Sequence, residues 1–158
     1  MTQERDAYGR FVGGGSRQGR PVETGRELNV LLKRATTHAV RLAIILAYQA
    51  ISIGTPVDLG TARSRWIVSV GRPILEVPEL GGLNDEEVKT LAARTYAKNQ
   101  RRAKAISDTY ILDLGSAFIA NATPWIVFLN EGSSSQAPAK FVEAALETAV
   151  RTAEATAA

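Results

Sequence analysis

The sequence predicts an α+β domain: a long N-terminal helix, a small and mostly antiparallel sheet, and a second and a C-terminal helix packed on it. Three observations carry this. From Leu28 to Leu46 apolar residues recur every three or four positions, and the same spacing returns over 84–108 and 138–150. Between these stretches lie short runs rich in β-branched and aromatic residues, over 62–70 and 109–121. Gly and Pro bound those runs, as at Gly71-Arg72-Pro73 and Asn121-Ala122-Thr123-Pro124.

Residues 1–23 contain YGRFVGGGSRQGRPVE and keep neither periodicity, so they read as a flexible Gly/Arg-rich arm preceding a single domain over 24–158. No strand precedes Gly13, Gly15 and Gly19, and no Gly-Lys-Ser/Thr follows them, so the arm is not a phosphate loop. Tyr8 and Phe11 have no local core to join and are candidates for anchoring the arm on a neighbouring subunit.

Thr24-Gly25-Arg26-Glu27 has the form of a capping box, so the first helix is expected to start there. Leu28, Leu31, Leu32, Ala35, Ala39, Leu42 and Leu46 form its apolar face, which Ile44, Ile45, Tyr48 and Ile51 widen. Gly54-Thr55-Pro56 stops it after about 28 residues, near 40 Å. His38 on this helix is expected to be buried or half-exposed and structural, with no second metal-binding residue spaced to join it.

Residues 62–70 (ARSRWIVSV) read as a strand with Trp66 facing the core and Arg63 and Arg65 on the other side. An extended connection over 72–83 leads to Asn84-Asp85-Glu86-Glu87, which caps the second helix and places acids where its dipole favours them. That helix carries Arg94, Lys98, Arg101 and Arg102 on one face, a cationic stripe able to meet phosphate or an acidic partner. TYILDL and SAFIAN, joined at Gly115, read as strands. WIVFLNE is a short apolar segment, 132–138 a loop, and Pro138 opens the last helix.

Composition bounds the chemistry. The 158 residues are 45% hydrophobic and 22% charged, enough for one core, which excludes a disordered tail, a fibrous repeat and a disulfide scaffold. With no Cys and one His, Cys nucleophiles, redox pairs and the common Cys/His zinc sites cannot be built within one chain, and a Ser-His-Asp triad would have to use His38. A hydrolase built on His38 or on carboxylates ranks far below an interaction protein, because no base and nucleophile are visibly paired. No cofactor, metal or catalytic residue is expected. A net charge of +3 permits nucleic acid nearby without demanding it. MTQERDAYGR lacks a signal-peptide pattern and no stretch approaches about 18 apolar residues, so residence in the cytoplasm and no membrane partner are expected.

Two segments together carry a resemblance. The first, Thr55-Pro56-Val57-Asp58-Leu59-Gly60-Thr61-Ala62-Arg63-Ser64-Arg65-Trp66, is a Pro-Val-Asp-x-Gly-x-x-Arg-x-x-Trp pattern just after a long helix. The second runs from Phe118-Ile119-Ala120-Asn121-Ala122-Thr123-Pro124-Trp125 into Phe128-Leu129-Asn130-Glu131-Gly132-Ser133-Ser134-Ser135-Gln136-Ala137-Pro138. Their order and separation resemble the tailed-bacteriophage neck and tail-completion family called HK97 gp10-like, over about residues 24–152. The chain departs from that pattern in two places: Pro124-Trp125-Ile126 stands where the family usually has Pro-Tyr-Ala, and Ala139-Lys140 follows the Ala-Pro pair where a Gly is common.

The resemblance implies a non-enzymatic virion protein, made in the host cytoplasm, that forms a ring joining the head-side connector or stopper to the tail tube or terminator and completes the DNA channel. A closed head-to-tail ring of about six copies is favoured over one of about twelve. Genomic DNA in the channel is a transient partner. A tail terminator that caps the tube is the alternative within this class, and a DNA-binding module using the 94–104 stripe is the alternative outside it. The interface candidates are Asp58, Arg63, Arg65, Glu131, Ser133, Ser134, Ser135 and Gln136, with Tyr8 and Phe11 of the arm. Asp58 is expected to accept backbone N–H bonds in its turn, and the serines lack a base to activate them.

Overall fold

A computed structural model describes the backbone of residues 21–157 and the side chains of residues 36–157. Tyr8, Phe11 and the rest of the arm through Arg20 lie outside the described residues, as does any side-chain cap at Thr24. The first helix, α1 (Pro21–Gly54), already includes residues 21–23, so Thr24 stands inside it rather than at its head. Contacts divide the chain into two units within α1, at Leu32 and Lys33. The described part of the first unit is helical backbone; the second, 33–158, holds every other element.

Why α1 stops is legible in Thr55. Its N–H and its Oγ1 both bond to Ile51 O, turning the chain out of the helix, and Pro56 forbids a further turn. Gly60, at φ 87° in the left-handed region, then starts the short helix α2 (Thr61–Ser64). A Cβ at Gly60 would lie 3.3 Å from Ala92 Cβ, so the residue also permits close approach of the second long helix. The strand expected over 62–70 is therefore confined to β1 (Ile67–Val70), and Arg63 is helical.

The second long helix, α3 (Asp85–Thr109), matches expectation. Asn84 Oδ1 accepts from Glu87 N–H, and Glu87 returns a carboxylate to Asn84 N–H, a complete capping box. Residues 109–114, expected as a strand, instead leave α3 at Tyr110 and form a 3-10 turn (Leu112–Leu114). The chain then enters β2 (Ala117–Ala120), as expected within SAFIAN. Trp125 leads into α4 (Ile126–Asn130), and α5 (Phe141–Ala157) starts three residues after Pro138. Asn130 caps α5: its Oδ1 accepts from Val142 N–H, and its Nδ2 donates to Glu143, holding that carboxyl below its ordinary pKa.

The fold is thus α+β, with β1 and β2 forming a two-stranded antiparallel sheet in which Ile67 opposes Ala120 and Val70 opposes Ala117. Two strands alone are marginal, so helices must cover them. The core joins Ile44, Ala47, Tyr48 and Ile51 of α1 to Trp66, Val68, Ala103, Tyr110, Ile126 and Ala149. Arg41 Nε donates to Tyr110 O and Ser107 Oγ donates to Arg41 O, locking α1 to the end of α3. By length and composition Thr36–Gly54 is apolar enough to cross a membrane, against expectation; Ile44, Ala47, Tyr48 and Ile51 on it join the core of this domain, and the rest of it is largely unburied among the described residues.

Candidate interaction site

The two sequence motifs meet in space. Gln136 reaches across to Val57, where its Oε1 accepts from the backbone N–H at 2.9 Å and its Nε2 donates to the backbone C=O at 3.0 Å. One side-chain amide thereby satisfies both polar groups of a residue in a turn. Ser134 Oγ accepts from Gln136 N–H and shapes the loop that delivers it. The loop begins at Gly132, at φ 94°, where a Cβ would come to 3.0 Å from Ala139 Cβ, so a larger residue would be strained and would press on Ala139. Between the motifs lies a cleft of about 240 Å³, lined by Asp58, Leu59, Trp125, Leu129, Ser134 and Gln136 among others.

Trp66 is buried, as expected, and its indole Nε1 donates to Thr55 Oγ1 at 2.8 Å. Arg63 departs from expectation: its Nη2 donates to Ile53 O and Thr55 O, and its Nε to Thr55 O. It neutralises carbonyls at the end of α1, where a cation is favoured by the helix dipole. Arg65 does not share a strand face with it; its Nε is buried and unpaired. Asp58 is exposed and accepts no hydrogen bond among the described residues, so the turn is held by Gln136 rather than by this carboxylate. The pKa of Lys89 is raised by its hydrogen bond to Glu86 and the charge of that carboxylate, with Asp85 and then Asp58 adding smaller contributions. Glu131, Ser133 and Ser135 are exposed on the loop and Ser134 is half-buried.

The cationic stripe is only partly free. Arg102 Nε donates to Val68 O of β1 at 2.8 Å and so belongs to the fold. Lys104 pairs with Asp108, and Lys89 with Glu86. Arg94, Lys98 and Arg101 are exposed and carry no ion pair among the described residues.

A second surface was hidden in the sequence. A groove of about 860 Å³ runs between α1, β2 and α5, lined by Val40, Ile44, Phe118, Ile119, Leu146 and Val150 among others. Leu146 is 47% and Val150 37% exposed, and little more than a quarter of Thr36–Gly54 is buried (28%). The outer edge of β2 beside it has no backbone partner among the described residues. The signal for it was present: the apolar surplus on the second half of α1 exceeds what two facing elements can cover. Trp125, Val127 and Phe128 are also exposed around α4.

His38 is exposed, not buried, and no cluster of three His, Cys, Asp or Glu able to hold a metal occurs among the described residues. Tyr48 Oη, Ser52 Oγ and Thr123 Oγ1 are buried without a hydrogen-bond partner. Burial pushes the Tyr48 hydroxyl up to about 12, with Ser52 beside it pulling the other way. Comparison with known proteins finds no family model, no curated relative and no solved structure that matches this chain.

Proposed function

We propose that this chain is a structural subunit of a ring in the neck of a tailed phage, joining head connector to tail tube around the DNA channel. The observation that carries the reading is an apolar groove, beside the outer edge of β2, that is left uncovered among the described residues. An apolar surface of this kind marks an interaction site, and the strand edge beside it invites strand addition from another chain. A neighbouring copy laid into it head-to-tail would cover groove and edge together, and repetition of one heterologous contact closes a ring where the rotation between copies divides a full turn. The Gln136–Val57 clamp supports the reading from a different side, because it fuses the two segments that carry the family resemblance into one rigid surface. The exposed Trp125, Val127 and Phe128 beside that surface suit a second, axial partner such as a connector or tube protein.

Gold-labelled antibody against the chain, applied to virions of the phage that encodes it, tests the assignment. Label at the head–tail junction is the expected result. Label along the tail tube, or virions without the protein, would overturn it.

A further inference from the structure

We propose that the outer face of α3 is a DNA-backbone contact, in which Arg94, Lys98 and Arg101 take phosphates of duplex DNA without reading its sequence. At 100° per residue the three side chains fall within an arc of about 60°, and at 1.5 Å per residue their Cα atoms span about 10 Å. All three are exposed, and no acidic residue occurs on α3 between Glu87 and Asp108. The contrast with their neighbours is the informative part. Lys89 is paired with Glu86, Lys104 with Asp108, and Arg102 is bonded to Val68 O, so the fold neutralises the cations on either side and leaves these three available.

The surroundings choose the class of anion. Ala93, Ala97, Gln100 and Ala105 flank the stripe, and it has no exposed aromatic anchor. A protein interface needs a desolvated apolar or aromatic centre, whereas the apolar neighbours of this stripe, Leu83 and Leu91, lie only at its Arg94 end, in a hollow shared with Glu86 and Glu87. Single-stranded nucleic acid is held largely by stacking on aromatic rings, and none is offered here either. A duplex backbone needs only positioned cations, with affinity supplied by counterion release. The choice of DNA as occupant rests on the channel reading above; the free cations do not.

The test is fluorescence anisotropy of a short random-sequence DNA duplex titrated with the full chain over a salt series. Three phosphate contacts contribute a slope of about −2.7 in log K against log salt, which is about a 40-fold loss of affinity between 50 and 200 mM. The variant R94A/K98A/R101A is expected to lose that part of the slope. K89A/K104A/R151A removes the same formal charge from ion-paired cations, whose partners are Glu86, Asp108 and Glu147, and is expected to keep it. Equal loss in both variants, no binding at low salt, or binding to polyglutamate in place of the duplex would overturn the proposal. The outcome is separable from the neck assignment: a flat slope beside labelled necks removes the stripe alone, and a steep slope beside unlabelled virions removes the neck alone.

Discussion

Replacing Thr55 with Val probes the joint on which the first motif turns. Thr55 is fully buried, its Oγ1 accepts the Trp66 indole N–H at 2.8 Å, and its hydroxyl donates to Ile51 O at 2.7 Å. Val keeps the shape and removes both roles. Ile51 O keeps the bond from Thr55 N–H, so its loss is small. The indole N–H sits in a side chain only 5% exposed and is left with no acceptor, which costs about 1–3 kcal/mol. Taking about 2 kcal/mol, Tm should fall by roughly 5–10 °C for a domain of this size. Urea unfolding at one fixed protein concentration measures the same quantity, and the midpoint should drop with m unchanged. In the Thr55→Val background, Trp66→Phe should cost less than it does in wild type, because the orphaned donor is then gone. A Thr55→Val protein within about 0.5 kcal/mol of wild type would refute the claim that this bond anchors the motif.

Gln136→Ala should cost only about 1 kcal/mol, since both of its bonds are exposed, while hydrogen exchange at the Val57 amide quickens several-fold; unchanged exchange there would deny the clamp. Lys140 is held at φ 59°, so Lys140→Gly should raise stability by about 0.5–1 kcal/mol, and a lower Tm would show that the Lys side chain matters more than its backbone strain. Tyr48 is protonated in the folded state up to about 12 against an ordinary 10.0, so stability is full below about pH 10 and is lost as pH rises toward 12. Tyr48→Phe should flatten that alkaline loss at a cost below about 1 kcal/mol, because the buried hydroxyl has only Ser52 beside it and makes no well-formed hydrogen bond; a large destabilisation would contradict this. Deleting residues 1–23 should weaken ring assembly while leaving the melting of the monomer intact, and equal assembly of both forms would remove the arm from the interface.

Legibility of the sequence followed how local each cause was. The capping box of α3 is written in four adjacent residues, and it formed as expected at Asn84 and Glu87. Trp66 read correctly as core because a large aromatic in a β-rich run has few other places to go. The strand expected over 62–66 failed because Gly60 adopts a left-handed conformation that starts a helical turn, and a four-residue run carries no periodicity to announce it. TYILDL failed for the same reason: its alternating residues serve a 3-10 turn after Tyr110 has already closed α3. Arg63 and Arg102 were expected to face outward as cations, yet both bond to backbone carbonyls, Arg63 across the turn at Ile53 and Thr55 and Arg102 on β1 at Val68, roles set by how the chain folds back. The resemblance marked both motifs without indicating that Gln136 would join them. The apolar surplus on the second half of α1 is legible as a face for another subunit, but not that Phe118, Ile119, Leu146 and Val150 wall it into a groove, since those residues read as ordinary core until the chain is folded.

A ring subunit of the proposed kind has surfaces that only other copies complete, and a cryo-EM reconstruction of the head–tail junction would show them. The expected result is a closed ring of this subunit around the DNA, with the groove bearing Val40, Phe118, Leu146 and Val150 filled by the adjacent copy and the outer edge of β2 paired. A junction lacking this chain, or a ring in which that groove faces solvent, would contradict it.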